Sequence, residues 1–186
     1  MEIVTEPDLR NADEAVAFAQ ELRRILIAVD ASEADMFKGM MRFDASISLR
    51  EIGTEKLNPR SEIKNLNSFR FLEEAINYEV RRQIELIEDG GTVVQETRLY
   101  DPDKKVTRSM RSKEDSQDYR YFPDPDLPPL RIGSDWIEKV RQTMPELPAA
   151  MRARFVEQLG LPEYDATVLT QSKGMATYFE AVVQAA

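Results

Sequence analysis

Residues 41–49 carry the clearest strand pattern in the chain, because apolar and polar side chains alternate along them. A period of two residues places one set of side chains on each face of a β-strand. One face is therefore predicted to pack on a core. The polar face, which carries Arg, Asp and Ser, is either solvated or forms the wall of a polar cleft. The apolar set is Met41, Phe43, Ala45, Ile47 and Leu49.

Apolar residues that recur every three or four positions predict two long helices. The first is expected over about 12–30, where Asn11 followed by Glu14 forms a capping-box pattern. Its apolar stripe is interpreted as core. The second is expected from about 69 to 89 and ends at Gly90, a residue type that favours helix termination.

Shorter apolar runs predict further strands around these helices. We expect strands at 2–4 and 61–66 and a hairpin formed by 92–100 and 105–111, with the turn at Asp101-Pro102-Asp103. After Leu130 the pattern becomes helical throughout, and a proline-rich linker separates this part from the rest.

Three helices are predicted in this C-terminal part. Ser134 is expected to cap the first, which stops at Pro145, and the others are expected over 148–159 and 176–185. Gly160, Pro162 and Gly174 are of the residue types that mark breaks between helices.

The chain of 186 residues contains neither cysteine nor histidine. Disulfides, thiolate nucleophiles, Ser-His-Asp triads and zinc sites of thiolate or imidazole are therefore excluded. Oxygen ligands remain, and Mg²⁺ is the cation they prefer. Glu2 and Glu6, at the ends of the first predicted strand, are candidate ligands.

The formal net charge of −9 argues against an indiscriminate nucleic-acid binder. Residues 104–113 nevertheless hold five basic residues and no acid. Such a strip either docks phosphates or guards a hairpin edge. No apolar run approaches the roughly 20 residues of a membrane span, and the first ten residues lack the features of a signal peptide. We expect a soluble, cytoplasmic protein without a membrane partner.

Polar residues form a candidate site where the 61–66 strand meets the following helix: Lys64, Asn65, Asn67 and Ser68. The N-terminus of a helix presents free backbone N–H groups and the positive end of the helix dipole, which suit a phosphate or carboxylate. Plain capping by Asn67 or Ser68 is the alternative.

Residues 108–130 are polar, aromatic and proline-rich, with no helical or strand period. An irregular segment of this kind is more often a site than a scaffold. Arg offers bidentate contacts to phosphate and Tyr offers a stacking face, so a cluster here could hold a nucleotide or the end of an RNA. A structural salt-bridge network is the alternative. The cluster comprises Gln95, Glu96, Arg98, Arg108, Arg111, Asp118, Tyr119, Arg120 and Tyr121.

Several sequence signatures occur together and in order: EIKNLNSF from Glu62, QETRLYDP from Gln95, TRSMRSKE from Thr107 and DYRYFPDPDLPPL from Asp118. With them, residues 62–130 closely resemble the B subunit of the aspartyl/glutamyl-tRNA amidotransferases. MEIVTEPDLR and MRFDASISLR extend the resemblance upstream, so it covers nearly the whole chain.

The resemblance implies an α+β fold, in which an antiparallel sheet with packed helices forms part of a cradle domain, followed by a small all-helical unit. We place the cradle at 1–131 and the start of the helical domain at 132–186. In this family the cradle uses ATP and Mg²⁺ to phosphorylate the side-chain carboxylate of Glu or Asp on a mischarged tRNA. Ammonia, which the A subunit releases from glutamine, then forms the amide, and a small C subunit ties the A and B subunits together.

The resemblance also implies roles for individual residues. Asp44, Lys64 and Glu96 are expected to be catalytic, and Glu2 matches an acid of the metal site. The residues expected to bind substrate or nucleotide are Asn65, Asn67, Arg98, Arg111, Tyr119 and Arg120.

Two departures from the family pattern qualify the resemblance. Phe37 and Lys38 stand before Gly39, where the family usually has a pair of acids. The opening segment of the cradle and the C-terminal tail domain of the family are also absent, so we expect a middle fragment that is inactive alone. A non-catalytic RNA-binding or complex-assembly module that keeps the cradle fold is the alternative function.

Overall fold

The computed structural model describes residues 1–112 and 125–185, and of Arg111 and Ser112 the backbone alone. No helix in this part of the chain is both long and apolar enough to cross a membrane. The elements, in chain order, are α1 (Ala12–Ala28), β1 (Phe43–Ile47), β2 (Ser61–Leu66), α2 (Phe69–Glu88), β3 (Glu96–Asp101), β4 (Val106–Ser112), α3 (Ser134–Thr143), α4 (Pro148–Leu159), α5 (Glu163–Leu169) and α6 (Lys173–Ala185).

The contacts between residues divide the chain into two compact units. The first consists of Met1–Glu21 and Ala34–Ser116, and the second of Leu22–Glu33 and Gln117–Ala186. The division therefore falls within α1, and each unit is described by itself.

A four-stranded sheet in the order β1-β2-β3-β4 forms the base of the first unit. The β1–β2 and β3–β4 pairs are antiparallel, whereas β2 and β3 run parallel. Parallel neighbours need a crossover connection, and α2 supplies it. The predicted α+β class is confirmed. The sheet is mixed rather than wholly antiparallel because the chain returns through α2 before β3 begins.

The helix α2 packs on one face of this sheet and closes the first core. Its observed bounds agree with the predicted ones. The hydroxyl of Ser68 accepts a hydrogen bond from the Phe71 N–H at 3.0 Å and caps the helix. At the other end Gly90 has a φ of 81°, and the Gly91 N–H donates to the carbonyl of Leu86 at 2.8 Å. The buried core residues are Ala12, Ala19, Ile47, Ile63, Leu66, Leu72, Ala75, Ile76 and Tyr100.

The predicted capping box at the start of α1 is present in a shifted form. Asn11 Oδ1 accepts a hydrogen bond from the Glu14 N–H at 2.8 Å. The Glu14 carboxylate reaches back to the N–H of Arg10, at 2.7 Å, rather than to that of Asn11. Two N–H groups at the helix start are thereby satisfied.

The predicted strand at 2–4 is wrong, because these residues have no regular structure and no ladder partner among the described residues. The strand predicted over 41–49 is shorter than expected. After β1 ends, Ser48 Oγ donates to the Asn58 carbonyl and Asn58 Nδ2 donates to the Leu49 carbonyl, each at 2.7 Å. These side-chain bonds hold a loop where the ladder would have continued.

The predicted hairpin is confirmed, but its first strand starts at Glu96 and not at residue 92. Glu96 is the first residue of β3 that pairs with a neighbour on both sides, Ser61 and Ser112. At the turn, Asp101 Oδ1 accepts the N–H of Asp103 at 3.1 Å and the N–H of Lys104 at 3.0 Å. An aspartate that bonds the backbone ahead of it in this way favours a tight turn.

The second unit contains α3 to α6, and its core is a small cluster of Phe155, Ala166 and Ala176. The helix α4 begins and ends at the predicted residues, with Pro148 as its first residue and Gly160, at a φ of 68°, as its C-cap. Phe155 is fully buried and its ring lies 5.1 Å from that of Phe179.

Three predictions in the second unit need correction. Ser134 is the first residue of α3 and makes no capping bond, since its hydroxyl contacts Asp135 instead. The helix α5 lies where only a break is predicted, because Pro162 follows the end of α4 and is itself the N-cap of the next helix. The helix α6 includes Gly174, where a break is expected, because one glycine inside a helix costs only about 1 kcal/mol.

Candidate functional site

Strand register decides which side chains share a face of the sheet. Paired residues lie on the same face, and successive residues of one strand alternate. The face opposite α2, here called the open face, is the more exposed of the two. Its polar side chains include Asp44, Ser46, Glu62, Lys64, Thr97, Asp101 and Arg108.

Lys64 lies between two carboxylates on the open face. Its ammonium group is 2.8 Å from Asp44 Oδ2 and 3.4 Å from Glu62 Oε1. The pKa of Lys64 is raised, because the hydrogen bond to Asp44 and the charges of Asp44 and Glu62 outweigh the opposing effect of partial burial. The two predicted catalytic residues Asp44 and Lys64 are thus in direct contact, and Lys64 remains a cation at neutral pH.

The junction of β2 and α2 uses its polar residues differently. Ser68 caps the helix, so the predicted alternative of plain capping applies to Ser68 and not to Asn67. Asn65 has a φ of 70°, and its side-chain amide donates to the Tyr100 carbonyl at 3.5 Å. The side chain of Asn67 is exposed. The side chain of Asn65 therefore helps to hold the end of β2 beside β3.

Glu96 and Arg98 lie on the face of the sheet that α2 covers. Arg98 is only 8% exposed. One of its terminal amino groups is hydrogen-bonded to Glu96. The guanidinium also contacts Thr107, with Nε donating to the hydroxyl at 2.8 Å and Nη2 to the carbonyl at 2.9 Å, and it lies beside the buried Glu79. The structure brings these two predicted site residues together, but on the opposite face from Asp44 and Lys64.

Sequence reasoning missed Glu79, the carboxylate at the centre of this buried network. It is fully buried in α2 and accepts hydrogen bonds from Arg82 Nε at 3.0 Å, Gln83 Nε2 at 3.1 Å and Thr107 Oγ1 at 2.8 Å. Arg98 Nε lies 3.3 Å from it. Burial alone would raise the pKa of Glu79, but the bonds from Arg82, Gln83 and Thr107 together lower it.

A polar signal for this network was present in the sequence. Glu79 and Gln83 are four residues apart, so they share one face of a helix. Both lie beside the apolar stripe of α2, where a charged residue needs a partner if it is buried. The alternative given for the cluster that contains Glu96 and Arg98 was a structural salt-bridge network. The contacts of these two residues on the covered face are of that kind.

The other predicted site residues are placed as follows. Arg111 pairs through its backbone with Thr97 in β4, and Tyr119 and Arg120 lie outside the described residues. Glu2 is exposed. Over 1–112 and 125–185, no group of three or more acidic side chains is arranged to hold a metal ion.

Comparison with known proteins gives a consistent set of relatives. The sequence model of the family described as "GatB/GatE catalytic domain" matches residues 1–138. The B subunit of the aspartyl/glutamyl-tRNA(Asn/Gln) amidotransferase of Burkholderia ambifaria (strain MC40-6) is 68% identical over 183 residues, which are 98% of this chain and 37% of that protein. The proteins of the same name from Burkholderia thailandensis and Burkholderia multivorans are each 67% identical over the same shares. The chain therefore spans about 37% of the length of the curated relatives that it matches.

Proposed function

Because the chain belongs to the GatB/GatE catalytic domain family, we propose that it forms part of the catalytic subunit of a tRNA-dependent amidotransferase. This family membership confirms the resemblance inferred from the sequence signatures. The proposed reaction converts Glu-tRNA(Gln) or Asp-tRNA(Asn) to Gln-tRNA or Asn-tRNA. The side-chain carboxylate is phosphorylated at the expense of ATP and is then amidated with ammonia from glutamine, which makes the enzyme a carbon–nitrogen ligase.

The contact between Lys64 and Asp44 on the open face is the observation that carries this proposal. Phosphoryl transfer asks the protein mainly to position the reacting groups and to stabilise their charge. The ammonium of Lys64 is partly exposed and can meet an anionic oxygen of the substrate. Asp44 holds the ammonium when no substrate is bound. Asn65 and Asn67 lie close along the chain and can contribute hydrogen bonds to the same substrate.

ATP supplies the phosphoryl group in this proposal, and Mg²⁺ would neutralise the charge of its phosphates. Glu2 is proposed as one metal ligand from the resemblance. The described residues do not fit a complete magnesium site, since no group of three or more acidic side chains is arranged there to hold a metal ion. No step is therefore assigned to the ion, and the catalytic role of Glu96 and the binding roles of Arg98, Arg111, Tyr119 and Arg120 stay predictions.

The protein is proposed to act in the cytoplasm, in a heterotrimer with the glutaminase A subunit and the C subunit, and to bind mischarged tRNA. The relatives are named as B subunits, which supports an assembly of this kind. Residues 1–131 are proposed as part of the cradle and 132–186 as the start of the helical domain. We propose that this stretch of 186 residues has no activity alone.

The decisive experiment measures ATP-dependent phosphorylation of Glu-tRNA(Gln) and formation of Gln-tRNA(Gln). The complete B-type subunit, assembled with its A and C partners, is compared with variants Lys64→Met and Asp44→Asn. The variant Lys64→Met removes the cation that is proposed to contact the substrate. We therefore expect turnover to fall by a factor of about 100 or more, which is the effect of removing one electrostatic donor from an active site.

A control is Arg152→Ala, which breaks a partly exposed ion pair with Glu163 in the second unit and should leave turnover unchanged. Absence of turnover by the wild-type complex, together with binding of the tRNA, would favour the non-catalytic RNA-binding module. Full activity of Lys64→Met would show that the open face is not the catalytic face.

A further inference from the structure

A continuous row of polar contacts crosses three strands of the open face. Thr97 Oγ1, on β3, donates to Glu62 Oε2 at 3.3 Å. The other carboxylate oxygen of Glu62, on β2, lies 3.4 Å from Lys64 Nζ. Lys64 in turn donates to Asp44 Oδ2, on β1, at 2.8 Å. Glu62 is thus the link between Thr97 and the proposed catalytic lysine.

The parallel pairing of β2 with β3 creates this row. Glu62 is paired with Thr97 and Lys64 with Leu99, and paired residues project from the same face of the sheet. Thr97 is consequently placed beside Glu62 by the backbone register itself. The hydroxyl of Thr97 is fixed further by burial, since only 9% of the residue is exposed.

Exposure increases along the row from Thr97 towards Asp44. The side chain of Glu62 is 21% exposed, whereas those of Lys64 and Asp44 are 43% and 45% exposed. The outer contact of Lys64 is therefore open to exchange with a ligand, while the inner one is sheltered. A lysine has a flexible stem of four carbons, so one sheltered contact is needed to keep its ammonium in place during such an exchange.

The charges lead to the same assignment. Two carboxylates around one ammonium leave a net charge of −1 on the row, which repels an anionic substrate. The ammonium of Lys64 can donate three hydrogen bonds, and an anionic substrate oxygen that replaces Asp44 as an acceptor avoids the repulsion of that carboxylate. Glu62 then remains as the one partner on this row that the substrate does not displace.

We propose that Glu62, anchored by Thr97, is a positioning residue that holds the Lys64 ammonium on the open face while a substrate oxygen takes the place of Asp44. This inference rests on the proposed function of the open face. The raised pKa of Lys64 agrees with it, since a lysine between two carboxylates stays charged and acts as a fixed cation.

The test uses the complete protein in its assembled complex, with ATP and Glu-tRNA(Gln) as substrates. Glu62→Gln should lower kcat by about 10-fold to 100-fold, the cost of small misplacements of a catalytic group, and should change KM for ATP by less. In a Lys64→Met background, Glu62→Gln should lower kcat no further, because Glu62 acts through Lys64. Glu73→Gln, the same chemical change at an exposed position of α2, is the matched control.

A pair of variants at Thr97 separates positioning from folding. Thr97→Ser keeps the hydroxyl and should retain the wild-type kcat. Thr97→Val keeps the branched shape but removes the hydroxyl, and it should lower kcat several-fold. If Glu62→Gln does not assemble, this pair carries the test by itself.

Wild-type activity combined with additive effects of Glu62→Gln and Lys64→Met would overturn this inference and leave the proposed function intact. Equal kcat for Thr97→Ser and Thr97→Val would overturn it as well. An inactive wild-type complex would instead reject the proposed function.

Discussion

At the scale of single residues, the burial of the charged side chain of Glu79 in the first unit needs a physical explanation. It is a fully buried carboxylate and is surrounded by the guanidinium groups of Arg82 and Arg98 and by Thr107. Such groups are costly to bury, and a pair of this kind is a weak source of net stability. Removing one member of the pair is strongly destabilising, because the remaining buried charge is left without its partner. Glu79 therefore fixes how α2 sits on β3 and β4.

The variant Glu79→Gln should lower the free energy of unfolding by roughly 3 kcal/mol at pH 7, as expected when a buried ion pair is broken. Urea denaturation measures this, with Glu73→Gln as the exposed control, expected within about 0.5 kcal/mol of wild type.

The pKa of Glu79 is lowered in the folded state, so the stabilisation that its carboxylate provides is present above the ordinary value of 4.5 and is lost as the pH falls through the lower folded value. The difference between wild type and variant should then narrow on acidification, and a widening difference would contradict the assignment.

At the scale of elements, the helices and strands with a regular pattern were largely predicted from the sequence. The bounds of α4 and β2 agree with the predicted ranges. A proline at the first residue of α4 and a glycine at its C-cap mark the ends of that helix. The parallel pairing of β2 and β3 was not predicted, although the helix predicted between these strands is the kind of connection that parallel neighbours need. The helix α5 was missed because seven residues show too little of a helical period.

Two glycines, one just after α2 and one in α6, give predicted stability changes of opposite sign. A Cβ atom added to Gly91 would lie 2.5 Å from Leu86 Cδ1 and 2.9 Å from the Leu86 carbonyl oxygen. Since that carbonyl also accepts the Gly91 N–H, Gly91→Ala should destabilise the first unit by about 1–3 kcal/mol, the range for overpacking. Gly174, in α6, has no atom within 4 Å of such a Cβ. Gly174→Ala should therefore stabilise α6 by about 0.5–1 kcal/mol. Thermal unfolding of both variants checks the two signs, and equal shifts would refute the explanation.

At the scale of the whole molecule, the sequence signatures identified the family, but the arrangement of the site depended on the fold. Asp44 and Lys64 are 20 residues apart and meet only because β1 and β2 are neighbours. Glu96 and Arg98 carry equally suitable chemistry, yet their strand register turns them towards α2. Composition and spacing could not separate these two sets, since a change of one residue in register exchanges the faces of a strand. The open face is therefore a result of topology, and the residues that it presents are the ones to test first.

The two units have separate cores, which leads to a prediction about cooperativity. Phe155 is fully buried in the second core and Ile63 in the first. Replacement of a buried Phe by Ala costs about 3–5 kcal/mol and of a buried Ile about 2–5 kcal/mol. Hydrogen exchange followed by mass spectrometry should show faster exchange of α4 in Phe155→Ala and of β2 in Ile63→Ala, each with little change in the other unit, because exchange reports local cooperative units. Peptides of α1 are left out of the comparison, since the division between the units falls within that helix. Equal loss of protection in both units from either variant would mean that the two cores unfold as one, and that a destabilised helical unit would also disturb the open face.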